Sequence, residues 1–339
     1  MKLGRYILII GLLLFFFYFT NRINLLGDIT IEEGDNYSKF FEAMSWRDRI
    51  TLKIYLKSEA DPALYPGVYR IEKPLSYKDF IAEISKVPQP VPVKIVLLEG
   101  WSSFDYEVAL VNKGLIKAGE FLATVKDSEK IAVFQQEYEF LPKDLKTLEG
   151  FLYPDTYNVD ANKPNIADQV VRMQLENFNT KVWLPNKEKF QNFQSKLSND
   201  GYDFPLSVYA IIKLASIIEN EEKNNDNKQS IASVFLNRLQ QNMTLGADVT
   251  LCYGKSITYK ECTPSFIVDH LYEKDNLYNT RQNSGLPPTP ISNPSISSIN
   301  GVLNYTKTPA LYYLHDSKGK IYFGNTLEQH NQNKVNYIN

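Results

Sequence analysis

Cysteine and histidine are scarce in this chain of 339 residues, which holds two Cys and three His. The histidines, His270, His315 and His330, stand far apart with no cysteine or carboxylate at metal-ligand spacing, so no metal is expected. A cysteine framework of the kind that staples small secreted domains is also missing, and at this length two domains can bury proper cores without one. Cys252 and Cys262, in TLCYGKSITYKEC, are spaced for a small disulfide loop in an exported domain, and two free thiols fit the spacing equally well. An excess of positive charge is absent: 37 Lys and Arg face 39 Asp and Glu, for a net charge of −2 and no basic block. That leaves nucleic acid without an electrostatic footprint. No cofactor signature appears either. YGKS (253–256) ends like a phosphate loop but lacks the first glycine at the required spacing, and no G-x-S-x-G nucleophile elbow is present.

Long apolar runs are absent except at the start, where MKLGRYILIIGLLLFFFYFTNR carries Lys2 and Arg5 ahead of an uncharged stretch from Tyr6 to Thr20. The run has the length of a signal-peptide core and is short for a spanning helix. Bulky Phe15, Phe16, Phe17, Tyr18 and Phe19 occupy the place of a small-x-small cleavage site. The expectation is therefore an uncleaved, single-pass signal anchor in the cell (inner) membrane, its N-terminus cytoplasmic and the remaining ~310 residues periplasmic or extracytoplasmic. Tyr (22) and Phe (19) are plentiful. Aromatic faces stack on sugars, and they are also ordinary core residues.

The expected fold class is α+β in three parts. Residues 1–26 form the cytoplasmic tip and transmembrane anchor. Residues 27–90, with DITIEEGDNYSKFFEAMS, ITLKIYLKS and PGVYRIEKPLSYKDFIAEISK, alternate strand and helix as one small module. VPQPVPVK (87–94) reads as a linker or an edge-strand entry. Residues 91–339 form a larger mixed α/β domain, with a strand in KIVLLEG, helices near 104–112, 117–125 and 164–180, and strands at ALYYLHD and KIYFG. Its longest helical pattern, FPLSVYAIIKLASIIENEE, has Asp203 as candidate N-cap and Pro205 in the first turn, and a second helix over 228–241 completes a helical hairpin.

Within that pattern LASIIENEE (214–222) drives an apolar run into three acids. At 100° per residue Val208, Ile211, Ile212, Leu214, Ala215 and Ile218 form one stripe. Glu219 and Glu222 fall on it, and Glu221 sits at its margin. A carboxylate leaving an apolar face at a helix C-terminus meets desolvation, the negative helix end and neighbouring acids, all of which disfavour ionisation. A carboxylic acid that keeps its proton is what glycosidic-bond cleavage requires of a general acid. Alternatively the helix merely ends and the acids reach solvent. Periodicity leaves both readings open and points to Glu222 ahead of Glu219.

LASIIENEE, followed twelve residues after Glu219 by IASVFLNRLQQNMTLGAD, resembles the central motif of the YceG-like endolytic murein transglycosylases. LEGFLYPDTY (148–157), YNTRQNSGLPPTPISNPS (278–295), TPALYYLHDSKGKIYFGNT (308–326) and EQHN (328–331) fit the same family in the same order, over about residues 94–337. The 28–86 module resembles its LysM-like subdomain. The resemblance implies a lytic transglycosylase without cofactor, with the essential acid at Glu219. That acid protonates the oxygen between N-acetylmuramic acid and N-acetylglucosamine in peptidoglycan. It then assists the muramic C6 hydroxyl in closing a 1,6-anhydro ring, and so terminates nascent strands. Tyr153, Asp155, Thr156, Asn237, Arg238, Asp248, Asn279, Gly285, Pro287 and Pro288 are implied to line the glycan cleft. Each also has a structural reading, YPDT as a capped turn and GLPP as a rigid loop. His330 reads as a hydrogen-bonded structural residue. LGADVTL (245–251) departs from the usual Gln-x-Asp-Pro pattern, with Gly246 and Val249 in its place, which bears on the contacts near Asp248. Peptidoglycan synthases are the partners that the resemblance suggests.

Two other functions fit the same residues. A hydrolytic muramidase would use Asp155, Asp248 or Glu149 as a second carboxylate. A non-catalytic peptidoglycan-binding scaffold would work through the 28–86 module.

Overall fold

The computed structural model describes residues 22–338, except 24, 33, 43, 59–61, 87–91 and 162. The expected membrane span over residues 6–20 and most of the VPQPVPVK linker lie outside the described residues. Among those described, no helix is long and apolar enough to cross a membrane. The chain divides into two compact units, Met1–Pro92 and Val93–Asn339.

In the first unit, strands β1 (Arg22–Ile23) and β4 (Leu75–Ser76) pair antiparallel, as do β2 (Gly27–Ile31) and β3 (Gly67–Ile71), with Gly27 opposite Ile71 and Ile31 opposite Gly67. Helix α2 (Tyr77–Ile84) packs on the β1–β4 pair and on helix α1 (Trp46–Ser58). Ser76 caps α2 by accepting from the Asp79 N–H, and Leu52, Phe80 and Ile84 form a fully buried core. Arg22 and Ile23, which the sequence reading gave to the anchor segment, are thus part of a strand pair.

The second unit is mostly helical. Its strands form two separate antiparallel pairs, β5 (Val93–Leu97) with β6 (Asp155–Val159) and β7 (Tyr312–His315) with β8 (Ile321–Gly324). The mixed α/β expectation thus reduces, among the described residues, to an α+β unit whose sheets have two strands each. Helices α3 (Ser103–Asn112), α4 (Glu120–Lys126) and α5 (Ser128–Glu137) follow β5, and α6 (Ile166–Phe178) follows β6. A π turn at Asn179–Trp183 leads into α7 (Leu184–Asn199).

The central helix α8 (Val208–Glu221) begins later than expected. Ser207, not Asp203, is its cap and accepts from the Ala210 N–H, while the Leu206 N–H bonds the Gln194 side chain and keeps FPLS extended. Ile211, Ile212, Leu214, Ala215, Ile217 and Ile218 are all fully buried, so α8 is apolar nearly all round as well as along one stripe. It packs on α9 (Asn225–Gln240) and on α12 (Ile296–Leu303), with α10 (Asp248–Gly254) also in contact. α11 (Pro264–His270) and the C-terminal α13 (Leu327–Tyr337) complete the unit.

LEGFLYP lies directly against α8. Gly150 has φ +90°, and a Cβ there would come within 2.7 Å of Ile212 Cγ2 and 2.6 Å of Pro290 Cγ, so only glycine fits.

Candidate active site

The three acids of LASIIENEE go to three different places, because α8 ends among them. Glu219 Oε2 accepts hydrogen bonds from the Ser295 N–H (2.9 Å), the Ser295 hydroxyl (2.5 Å) and the Ser298 hydroxyl (2.7 Å) at the start of α12. Its Oε1 lies 3.5 Å from the Lys228 ammonium, with the side chains only 10% and 3% exposed. Those donors and that cation tie α8, α9 and α12 together.

Glu222 is the residue at which the backbone turns extended, with φ −139° and ψ 118°. Its carboxylate accepts from the Asn224 N–H (2.7 Å) and the Asn227 amide (2.9 Å) and pairs with His315 Nε2 at 3.0 Å. Burial acts to raise its pKa, but His315, Asn224 and Asn227 together hold it below the usual value. It is a structural clamp between α8, α9 and β7.

Glu221 faces a cleft of about 610 Å³. Its carboxylate accepts one hydrogen bond, 2.8 Å from the Tyr313 hydroxyl. Burial raises its pKa, the Tyr313 bond opposes that rise, the charge of Asp248 adds to it, and Arg281 and His315 offset part of it. The motif register placed the acid at Glu219, and geometry presents Glu221 to the cleft.

α10 supplies Asp248 to the same cleft, and Arg281 grips it as a fork through Nε and Nη2, the latter at 3.0 Å from Oδ2. From α9 comes Arg238, whose Nε and Nη1 donate to the Leu311 and Leu245 carbonyls. Its guanidinium sits 5.5 Å from the Tyr312 ring centroid, and the His330 ring stacks on the same tyrosine at 5.2 Å. Gly246, with φ +66°, lies against Arg238: a Cβ would approach Nη1 to 3.2 Å.

The remaining expected residues separate into two groups. Tyr153, Asp155 and Thr156 line a second groove of about 580 Å³ with Glu99 and Lys181, away from Glu221. There Lys181 pairs with Asp155 and lies 5.5 Å from the Tyr153 ring centroid. Glu99 has its pKa raised by burial and then by the charge of Glu219, with Lys228 opposing.

The other group is structural. Asn237 donates to the Thr308 and Ala310 carbonyls at 2.7 and 2.8 Å and accepts from the Tyr202 hydroxyl. Asn279, 1% exposed, donates to the Leu271 and Glu273 carbonyls. Gly285 holds φ +86° beside the Thr244–Ser284 bridge, Pro287 is buried and Pro288 is exposed.

Glu149 is wholly enclosed, accepting from Ser103, Tyr253 and Asn293, and burial pushes its pKa up to about 7. It joins the core and is closed to a substrate. Cys252 and Cys262 form a disulfide, with Cα atoms 5.7 Å apart.

Glu221, Arg281, Tyr313 and Lys334 were not singled out as site residues from sequence. All four lie in or beside motifs that the resemblance quotes, and no local pattern ranks them above their neighbours.

The comparisons with known proteins agree with the family resemblance. A family model described as YceG-like family matches residues 29–336. An endolytic murein transglycosylase of Bacillus subtilis is 27% identical over 327 residues, covering 92% of this chain and 84% of the relative. One from Streptococcus pneumoniae is also 27% identical, over 337 residues, and there the match spans 92% of this chain but 58% of the relative. The crystal structure of a yceG-like protein from Listeria monocytogenes superposes with a TM-score of 0.57 at 28% identity, covering 92% of this chain and 99% of that one.

Proposed function

The chain belongs to the YceG-like family, and on that premise we propose that it is a lytic transglycosylase that cuts peptidoglycan strands endolytically, with Glu221 as its acid. The distant relatives named endolytic murein transglycosylase support the reaction class. One observation carries the residue: of the three acids ending α8, Glu221 alone faces the 610 Å³ cleft and has its pKa raised by burial. Glu219 and Glu222 are held by serines, a buried lysine and a histidine.

In the reaction, Glu221 gives its proton to the glycosidic oxygen between N-acetylmuramic acid and N-acetylglucosamine as the C1–O bond breaks. The muramic C6 hydroxyl then bonds to C1, and its proton passes to the Glu221 carboxylate. The acid is restored, no water is consumed, and a 1,6-anhydro end results. Because the nucleophile belongs to the substrate, one carboxylate suffices. The Tyr313 hydroxyl fixes the direction of the Glu221 carboxyl.

A hydrolytic reading has one observation in its favour, since Asp248 lines the same cleft as Glu221. Its pairing with Arg281 satisfies both carboxylate oxygens and works against a role as base. Lys2, Arg5 and the apolar run that follows support an N-terminal membrane anchor with the catalytic unit outside the cytoplasm. The Met1–Pro92 unit is then the candidate LysM-like contact with glycan, and peptidoglycan synthases are the candidate partners.

The test is the mass of fragments released from purified peptidoglycan. The wild-type protein should give anhydro-ended fragments and Glu221→Gln should give none. Fragments heavier by one water would establish hydrolysis instead, and full release by Glu221→Gln would overturn the assignment of the acid.

A further inference from the structure

The cleft that holds Glu221 has more positive charge than a neutral glycan calls for. Arg238, Arg281 and Lys334 line it against Glu221 and Asp248. Arg281 is committed to Asp248. The Arg238 guanidinium spends Nε and Nη1 on carbonyls and leaves Nη2 without a hydrogen bond among the described residues. Lys334 has no ion pair there. His330 Nδ1 is buried and has no hydrogen-bond partner. Arg238 comes from α9 and His330 and Lys334 from α13, all three lining the cleft, and Arg238 and His330 both lie against the Tyr312 ring.

Gly246 leaves room beside the Arg238 guanidinium. A side chain at that position would start 3.2 Å from Arg238 Nη1 and occupy the space in front of the guanidinium. The resemblance leads one to expect glutamine there, so the glycine is a feature of this chain that bares the cation to the cleft.

Resting on the glycan-cleaving reading above, we propose that Arg238, His330 and Lys334 form a subsite for a carboxylate of the peptide stem carried on the muramic residue. In a strand that bears stems the muramic lactyl carboxyl is tied up as an amide, so the sugars are uncharged and give these donors no anion to bind. A cut inside a strand lies away from any lipid pyrophosphate at the strand end, so the anion nearest the reacting muramic residue is its lactyl-linked peptide. The Arg238 and Lys334 cations recognise such a carboxylate through short, charge-assisted hydrogen bonds, with the neutral His330 ring beside them. The protein would then prefer strands that still bear stems.

The experiment measures binding of full-length Glu221→Gln protein to uncross-linked glycan oligomers with stems, and to the same oligomers with their stem carboxylates converted to neutral amides. Oligomers with free stem carboxylates should bind about tenfold more tightly, the equivalent of one charge-assisted contact. The preference should shrink as salt rises. It should fall towards one in a Lys334→Ala background, a substitution at an exposed position that the fold tolerates. Equal affinity for both oligomers, or an unchanged preference after Lys334→Ala, overturns the subsite. So does a preference that follows a lipid-pyrophosphate end instead of the stem.

Wild-type turnover separates this inference from its premise. Anhydro-ended products from both substrates at equal kcat/KM would remove the subsite and leave the reaction in place. Absence of products from both would remove the reading beneath it.

Discussion

Glutamine at Glu219 and glutamine at Glu221 should have opposite consequences, one on stability and the other on chemistry. Glu219→Gln replaces one carboxylate oxygen by an NH2 group. That group must face either the Ser295 and Ser298 donors or the Lys228 ammonium, donor against donor in both cases. Lys228, 2% exposed, loses its counter-charge. Breaking one side of a buried pair costs about 3–5 kcal/mol. In a unit of this size 1 kcal/mol moves Tm by roughly 2–4 °C, so a fall of about 6–20 °C is expected. Adding Lys228→Met should restore most of it, because an apolar replacement of a whole buried pair is close to neutral.

Glu221→Gln puts a neutral isostere where burial already favours the neutral acid. Its stability should match the wild type at low pH and exceed it as pH rises, because a raised folded pKa makes ionisation costly to the native state. Turnover should fall by about 10²–10⁴ with the loss of the general acid. Thermal melts paired with fragment mass spectrometry read both effects. A Glu219→Gln protein that melts normally yet releases no product, beside an active Glu221→Gln protein, would refute the assignment and return the acid to Glu219.

Three further outcomes follow from the same structure. Glu149 is held at a pKa of about 7 against an ordinary 4.5, so its contribution is fully present below pH 4.5 and is lost as pH rises through about 7. That is a decline of about 3 kcal/mol, and denaturant melts of Glu149→Gln should lack it; an identical slope in both proteins would contradict it. Reducing the Cys252–Cys262 disulfide, which closes a separation of ten residues, should cost about 3 kcal/mol by freeing the unfolded chain, read as a lower Tm with reductant. Gly150→Ala must fit a Cβ within 2.7 Å of Ile212 and Pro290 at φ +90°, so a loss of about 3 kcal/mol or more is expected by calorimetry, and a neutral result would mean that the loop moves freely off α8.

What the sequence could reveal, and what it could not, follows from the range of each interaction. The α8–α9 hairpin was legible because its apolar residues repeat with helical period, and every one of the stripe residues from Ile211 to Ile218 is buried. Its start was misread because Asp203 and Pro205 are good local signals, whereas the deciding contact, Gln194 holding the Leu206 N–H, comes from another helix. Helices α7 and α13 escaped notice because LPNKEKFQNFQSKLSN and LEQHNQNKVNY are mostly polar, and α10 to α12 are short and lie among Gly, Pro and Asn.

The site follows the same logic more sharply. Periodicity could say that acids end an apolar helix, but not which acid finds which partner. Glu219 meets Ser295, 76 residues on, and Glu221 meets Tyr313, 92 residues on. Three carboxylates within four positions differ only in those distant contacts, and it is the contacts that leave Glu221 facing the cleft and tie Glu219 and Glu222 to neighbouring elements.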